Sequence, residues 1–481
     1  MDASRAELDY KWLDAAKSYE QVLYSKSKTV FFAAESWQKI GFCYGLASRQ
    51  ARDIEEFKKL RQLAVEAYEK AAKLFREDSS LENQGKSAEC LAIAEYTRSW
   101  LTSSSSEKER MLDGCCAYGK KALEAFKKTG DELSYGKTCN NLSLCLFNRL
   151  VIASTLEEKR KIVQEGIDNA SDGILVLSKL ENKDELLTAF SLASLQSWYA
   201  ANISEQEEER RDLANRCLRY SENAITLSKE ISNPYSKAMS MWAGALSTLF
   251  FTEKIESSLE YAKEMLQHAS VIRDNYFKGI AFYLLAHITD WMAPRETNPD
   301  KKKQEYEEII KYAEDAIQHL QLVCRDSDIA ETYLFYTESY SYLAHEFAVK
   351  PLEKLAFSKK AVRIGEKGLE YAVHSGSIDA MGSILHALSK AYHYQSNLEP
   401  RRDEKLELLR NALGYRKEYV RIVQKAFKSN FWVLGVGLVY AAQIKADLAG
   451  LEKDKESKAV LLKEAVADMK SGVSYCNGWV G

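Results

Sequence analysis

Leu213-Ala-Asn-Arg-Cys217-Leu-Arg-Tyr220-Ser-Glu-Asn-Ala224-Ile225-Thr-Leu227-Ser-Lys-Glu-Ile231 decides the fold. Leu213, Cys217, Tyr220, Ala224, Leu227 and Ile231 fall four, three, four, three and four places apart. That spacing lays one apolar stripe along a helix and turns Arg211, Asn215, Arg219 and Glu222 away from it. Its centre, Tyr220/Ala224/Ile225, recurs as Tyr118/Ala122/Leu123, Tyr312/Ala316/Ile317 and Tyr415/Tyr419/Val420. Weaker copies are Tyr68/Ala72, Asn169/Gly173/Ile174, Tyr261/Met265/Leu266 and Ile364/Gly368/Leu369. The second residues of these sets lie 50, 51, 51, 41, 51, 52 and 51 apart. A near-constant period of this size implies stacked helical hairpins, each burying its apolar face against its neighbours.

Composition agrees. The 481 residues include five prolines, the first at Pro234, and no segment sustains strand alternation. The expected fold is therefore all-α: a right-handed superhelical α-solenoid of about nine antiparallel hairpins plus a final helix, continuous over 1–481. Breaks at Thr129-Gly130-Asp131, Ser232-Asn233-Pro234, Glu399-Pro400 and Gly450 read as helix stops or starts. Residues 3–24 read as one helix, 327–347 as another and 453–472 as the last. The polar stretch 293–303 holds two prolines and is the one candidate seam, read as a longer inter-helix loop.

With 67 basic and 70 acidic residues the net charge is −3, which gives no global pull toward nucleic acid or an acidic membrane. The apolar run Phe431–Ala442 is twelve residues, too short to cross a bilayer. Nine cysteines without a CxxC pair suit free thiols in a reducing cytoplasm. No cofactor, metal or small-molecule substrate is expected, and no enzyme. Gly130 to Gly136-Lys137-Thr138 has five residues between its glycines where a phosphate loop has four. Gly435-Val-Gly437 lacks the third Rossmann glycine and reads as close helix packing. No HExxH or GxSxG is present, and His386 and His393 stand seven apart, not three or four.

Trp37-x-x-Ile40-Gly41-x-x-Tyr44, followed by Ala64-x-x-x-Tyr68-x-x-Ala71, resembles the two helices of a tetratricopeptide repeat. The chain departs from that family's 34-residue period, its repeat-ending proline and, at Ser143, its glycine. It is more similar to the irregular, long-helix arrays of signalling proteins. A weaker similarity, through Ala15-Ala-Lys-Ser-Tyr-Glu20 and Ala67-Tyr-Glu-Lys-Ala-Ala72, is to the soluble NSF attachment proteins, which are adaptors. The resemblance implies a scaffold or regulatory module that holds a protein or peptide partner in its concave groove. It also implies groove residues Lys137, Asn140, Asn141 and Asn148, because some family members hold peptide carboxylates with Lys and Asn there.

Residues 400–429 carry nine Lys or Arg against four Asp or Glu. Arg416, Lys417, Arg421, Lys425 and Lys428 share one helix with Tyr415 and Tyr419, a candidate basic patch for phosphates or an acidic partner. Residues 471–481 have no charged side chain and finish on Trp479 and Val480. A capping helix needs a polar outer face, so the expectation is that the natural chain continues past Gly481 into an effector domain, with 1–481 as its sensing or docking arm. The alternative is a complete scaffold with a docked tail.

Overall fold

A computed structural model describes residues 3–25, 29–426 and 431–477. Two short helices, α1 (Ala3–Leu8) and α2 (Trp12–Ser25), lead into nine antiparallel hairpins. These are α3/α4 (Val30–Ser48, Ile54–Phe75), α5/α6 (Leu81–Arg98, Ser105–Thr129) and α7/α8 (Glu132–Leu150, Leu156–Leu177). There follow α9/α10 (Lys183–Ile203, Glu207–Ser228), α11/α12 (Pro234–Phe251, Ile255–Val271) and α13/α14 (Asn275–Met292, Pro299–Gln321). The last three are α15/α16 (Asp326–Tyr342, Pro351–Ser375), α17/α18 (Ile378–Leu398, Arg402–Ala426) and α19/α20 (Phe431–Leu451, Lys455–Asn477). The described residues contain no strand.

Local chemistry sets the boundaries. Asp53, Ser80, Ser104, Asp131, Thr155, Asn182, Asp274 and Ser377 each accept a hydrogen bond from the backbone amide three residues on, satisfying an orphan donor of the first turn. Gly130 and Gly376 close α6 and α16 at φ 73° and 66°, where a side chain is disfavoured. The glycine-rich stretch around Lys137 is thus a left-handed cap followed by the start of α7. Gly136 lies inside that helix, where an added Cβ would meet Leu177 Cδ2 at 2.6 Å.

Two boundaries differ from the sequence reading. Residues 3–24 are broken at Tyr10, which adopts φ 56°, so the additional helix stands at the beginning of the array and not at its end. The helix beginning at Asp326 ends at Tyr342, and Leu343–Phe347 widen into a π turn. Across 293–303 a short 3-10 turn, Ala293–Arg295, leads to α14, whose start is capped by Asn298.

The odd-numbered helices from α5 to α17 pack on one another as well as on their even partners. They are correspondingly apolar or small on most faces: α11 buries thirteen of its eighteen residues. The even helices keep one face solvated. At the family-like hairpin, Ile40 and Ala64 are fully buried, and Tyr44 and Ala71 join them in the cores on either side. Trp37 packs partly buried against both, and a Cβ on Gly41 would stand 3.0 Å from the Tyr68 ring.

The array closes on itself. The α3–α4 loop meets the α12–α13 loop more than two hundred residues later. The Asn275 backbone N–H donates to the Arg49 carbonyl at 2.8 Å, and its side-chain amide donates to the Ala51 carbonyl at 2.8 Å. Gln50 donates to the Ile272 and Tyr10 carbonyls at 2.7 and 2.9 Å. Arg49 Nε lies 2.7 Å from Asp274 Oδ2. Further along, Trp12 donates to the Tyr235 hydroxyl (2.9 Å), Arg325 to Asn148 Oδ1 (2.9 Å) and Tyr199 to Asp379 (2.7 Å), which also pairs with buried Lys159. Successive superhelical turns are therefore bolted together after about four hairpins. Among the described residues, the three non-glycine residues with positive φ, Tyr10, Arg273 and Cys324, all border this seam. Such backbone is unfavourable for these residue types and persists where the surroundings over-determine it.

The apolar run at Phe431 extends beyond Ala442, interrupted only by Gln443, Lys445 and Asp447. Its segment Val433–Leu451 has the length and composition of a membrane span, unlike the twelve residues first considered. Here half of it is buried within the array, and Lys445 pairs with Glu464 and Asp468 of α20 at 3.0 and 2.7 Å. Gly435 and Gly472 set this helix crossing. A Cβ on Gly435 would lie 2.8 Å from the Gly472 carbonyl oxygen, and one on Gly472 would lie 2.8 Å from the Gly435 carbonyl oxygen. Backbone cannot step aside as a side chain does. Gly472→Ala is expected to cost about 1–3 kcal/mol and to release α20 first. Hydrogen exchange should show faster exchange over 455–477 with α3–α8 unchanged; protection equal to wild type would contradict this crossing.

Candidate functional site

A cavity of about 230 Å³ opens among the first three hairpins, where α3, α5 and α7 stand side by side. Its apolar wall includes Phe42, Leu46, Ile93, Leu142 and Leu144. Phe42 is half exposed, so this wall reaches the surface. Its polar lining comes from Arg49, Arg61, Glu89, Thr138 and Asn141. Gly45 also borders it, and a Cβ there would meet nothing within 4 Å.

Arg61 occupies the core stripe of α4, between Phe57 and Ala64. The residue is 5% exposed, and its guanidinium lies over Trp100 (4.5 Å to the ring centroid) and Phe57 (5.4 Å). Nε has no hydrogen-bond partner, and no carboxylate pairs with Arg61 among the described residues. Burial, and then the neighbouring Arg49, lower its pKa to about 10, so it remains a cation at neutral pH. Arg49 differs in having Asp274.

Glu89 lies on α5. Gln38 donates to it at 3.4 Å and Thr138 at 3.5 Å. Burial raises its carboxyl to about 7, although Lys137 and both hydrogen bonds favour the charged form. Around neutrality a large share of Glu89 is protonated. Of the two arginines and one carboxylic acid in the lining, Arg49 is paired, Glu89 is poised near neutrality and Arg61 has no ion pair among the described residues, with Asp274 acting on it only at longer range.

Behind the cavity, Trp100 joins an aromatic cluster on the superhelix axis. Its ring lies 5.2 Å from Tyr276, which neighbours Trp242 at 6.3 Å. Arg325 stands over both Trp100 (4.9 Å) and Tyr276 (5.0 Å). Burial is the largest single influence and would lower Arg325; Asp328 at 2.6 Å, together with Tyr276 and Tyr96, outweighs it and holds the group above its usual value. The cavity lining comes from the first superhelical turn, and the second turn backs one of its residues, Trp100, through Tyr276 and Arg325.

The four residues proposed for the groove separate. Asn141 lines the cavity beside Thr138, and Lys137 lies near enough to bias Glu89. Asn140 is buried and donates to the Glu185 carbonyl and carboxylate at 3.0 Å, tying α7 to α9. Asn148 donates to the Leu144 carbonyl and the Tyr96 hydroxyl and accepts from Arg325 across the seam. Internal hydrogen bonds therefore engage the side-chain N–H groups of both: Asn140 on the adjacent hairpin, Asn148 on its own helix and on Tyr96.

The basic patch divides as well. Arg416 is fully buried, donating to Ser389 (2.9 Å) and the His386 carbonyl (3.3 Å) and lying beside His386 Nδ1. It is removed from the patch. Lys417, Arg421 and Lys425 are exposed, and Arg421 pairs with Glu418. Lys428 lies outside the described residues. His393 contacts Asp447 at 2.7 Å. Among the described residues no group of three or more His, Cys, Asp or Glu is arranged to hold a metal ion.

The sequence contained a signal for Arg61 that motif searching passes over. Phe57, Arg61, Ala64, Tyr68 and Ala71 run four, three, four and three apart, so a charge sits on the buried stripe. Lys159 on α8 and Arg416 on α18 share this property, and all three are buried.

No family model matches the chain, and no curated protein matches it. Similar solved structures include a Rap protein complexed with competence and sporulation factor, at 10% identity and TM-score 0.39 over 94% of this chain and 97% of that one. A human IFIT1 dimer with m7Gppp-AAAA is 12% identical at TM-score 0.43, covering 99% and 95%. Yeast Tom70 is 11% identical at TM-score 0.33, covering 97% and 94%. Among its described residues the chain has a repeat-like all-α architecture of consecutive antiparallel helix hairpins.

Proposed function

We propose that this protein is an interaction module that receives a segment of a protein partner at the inner face of its first three hairpins, with the cavity between α3, α5 and α7 as the recognition pocket. The carrying observation is a concave, mostly apolar space with a few convergent polar groups, the usual form of a ligand site. Solenoids commonly bind along such inner surfaces.

Gly45→Leu tests this reading. The site for the new side chain is empty and leucine favours helix over glycine, so stability should hold or rise by up to about 1 kcal/mol. The side chain fills the pocket. Quantitative capture from the native cell extract should lose the partners specific to wild type. Identical partner sets at identical yield would remove the cavity from the interaction surface.

A further inference from the structure

We infer that the cavity binds an apolar group ending in a single carboxylate, with Arg61 receiving the carboxylate. This rests on the reading of the cavity as a binding site and names the chemistry it selects. A buried charge without a counter-charge is strongly unfavourable, so such groups are ordinarily paired. Arg61 is nine-tenths buried, borders the cavity and has neither hydrogen bond nor ion pair among the described residues. Its stacking between Trp100 and Phe57 fixes the guanidinium plane without neutralising it. That leaves a rigid fork of N–H donors, the geometry that a carboxylate meets with two parallel hydrogen bonds.

Charge and size narrow the ligand. Arg49 is already held by Asp274, which acts on Arg61 only at longer range, so Arg61 has no ion pair of its own among the described residues. Glu89 borders the same space, and because burial keeps a large share of it protonated near neutrality it offsets Arg61 only in part. A monoanion balances the pocket; a phosphate monoester overcharges it. An apolar cavity of about 150 Å³ holds benzene, so about 230 Å³ holds one ring and a short chain. Phe42, Leu46, Ile93, Leu142 and Leu144 suit that body, and Thr138 and Asn141 add neutral hydrogen-bonding groups. The same chemistry is offered by a free aryl-alkyl acid or by the last residue of a peptide ending in an aromatic side chain.

The test is calorimetric titration of the full chain with 4-phenylbutyrate, 4-phenylbutanol, acetyl-Gly-Gly-Phe and its C-terminal amide, repeated with Arg61→Met. At least one acid should bind tenfold or more tightly than its neutral counterpart, and Arg61→Met should abolish that difference. The arm that responds identifies the source, free acid or peptide terminus. Unliganded Arg61→Met should melt at or above the wild-type temperature, because it removes an unpaired buried charge; a purely structural arginine would melt lower when replaced. If that variant does not fold, the acid-against-neutral comparison on wild type still decides. Acid and neutral probes binding equally would overturn the carboxylate assignment and leave the pocket reading standing. No binding by any probe overturns the assignment, while the pocket reading is judged separately by Gly45→Leu.

Discussion

Asp274→Ala is expected to destabilise the protein by about 4–6 kcal/mol, the largest effect of any single substitution considered. Two losses combine. The first is the ion pair with Arg49, whose carboxylate is completely buried. Removing one partner of a buried pair strands the other and costs about 3–5 kcal/mol. The second is the cap of α13, where Asp274 Oδ1 accepts the Phe277 N–H at 2.9 Å. Losing such a cap costs about 1 kcal/mol. Asp274→Asn separates them, since an asparagine caps a helix as well as an aspartate but carries no charge. Denaturant midpoints should fall in the order wild type, Asn, Ala. A loss below about 1 kcal/mol in the Ala variant would show that this seam does not hold the turns together.

A second large effect concerns pH. Glu331 on α15 is partly buried, and desolvation, reinforced by Asp328 and Asp379, raises its carboxyl to about 8 against opposition from Tyr283 and Lys159. The Tyr283 hydroxyl donates to it at 3.2 Å. Below pH 4.5 both folded and unfolded chains carry the proton. As pH rises from there toward 8, the unfolded chain releases it while the folded chain holds it. The folded state then binds more protons, so stability falls with rising pH across that window and levels off above it. A shift of this size is worth on the order of 4 kcal/mol. Asp290 and Glu89, each raised to about 7 with burial the leading cause, add the same sign. Glu331→Gln keeps the shape and removes the titration. Unfolding free energies at pH 5 and pH 8 should therefore differ less in the variant than in wild type, by several kcal/mol. Equal pH dependence in both proteins would mean Glu331 ionises normally in the fold.

The hairpin array was legible because helix stripes and their fifty-residue period are local signals repeated many times. The glycines at 435 and 437 were read as packing positions, and both approach neighbouring helices closely. The closure of the superhelix was not legible. Arg49, Gln50, Asp274 and Asn275 sit in ordinary inter-helix loops, and their mutual contacts leave no period in the sequence. That closure also engages Asn148 through Arg325, whereas Asn140 is held by Glu185 of the next hairpin. Arg416 misled for a related reason. Counting charges along 400–429 treats each one as solvated, whereas its register with Leu409, Ala412, Tyr419 and Val423 places it in the core. The same register places Arg61 at the cavity. A charged residue on a buried stripe is the trace that a local pattern leaves of a non-local demand.

The account turns on the closure between the α3–α4 and α12–α13 loops. The direct measurement is the distance between spin labels at Arg52 and Arg273, both exposed, by double electron–electron resonance with the partly exposed Cys116, Cys324 and Cys476 replaced by serine. Arg49 and Asn275 share a backbone hydrogen bond, so the labels should give one narrow distribution below about 25 Å, the reach of a few residues of chain and two label arms. An open solenoid, with helix layers about 8–10 Å apart, separates these loops by more than about 40 Å. A broad distribution centred there would contradict the closed superhelix and the support it gives Trp100 behind the cavity.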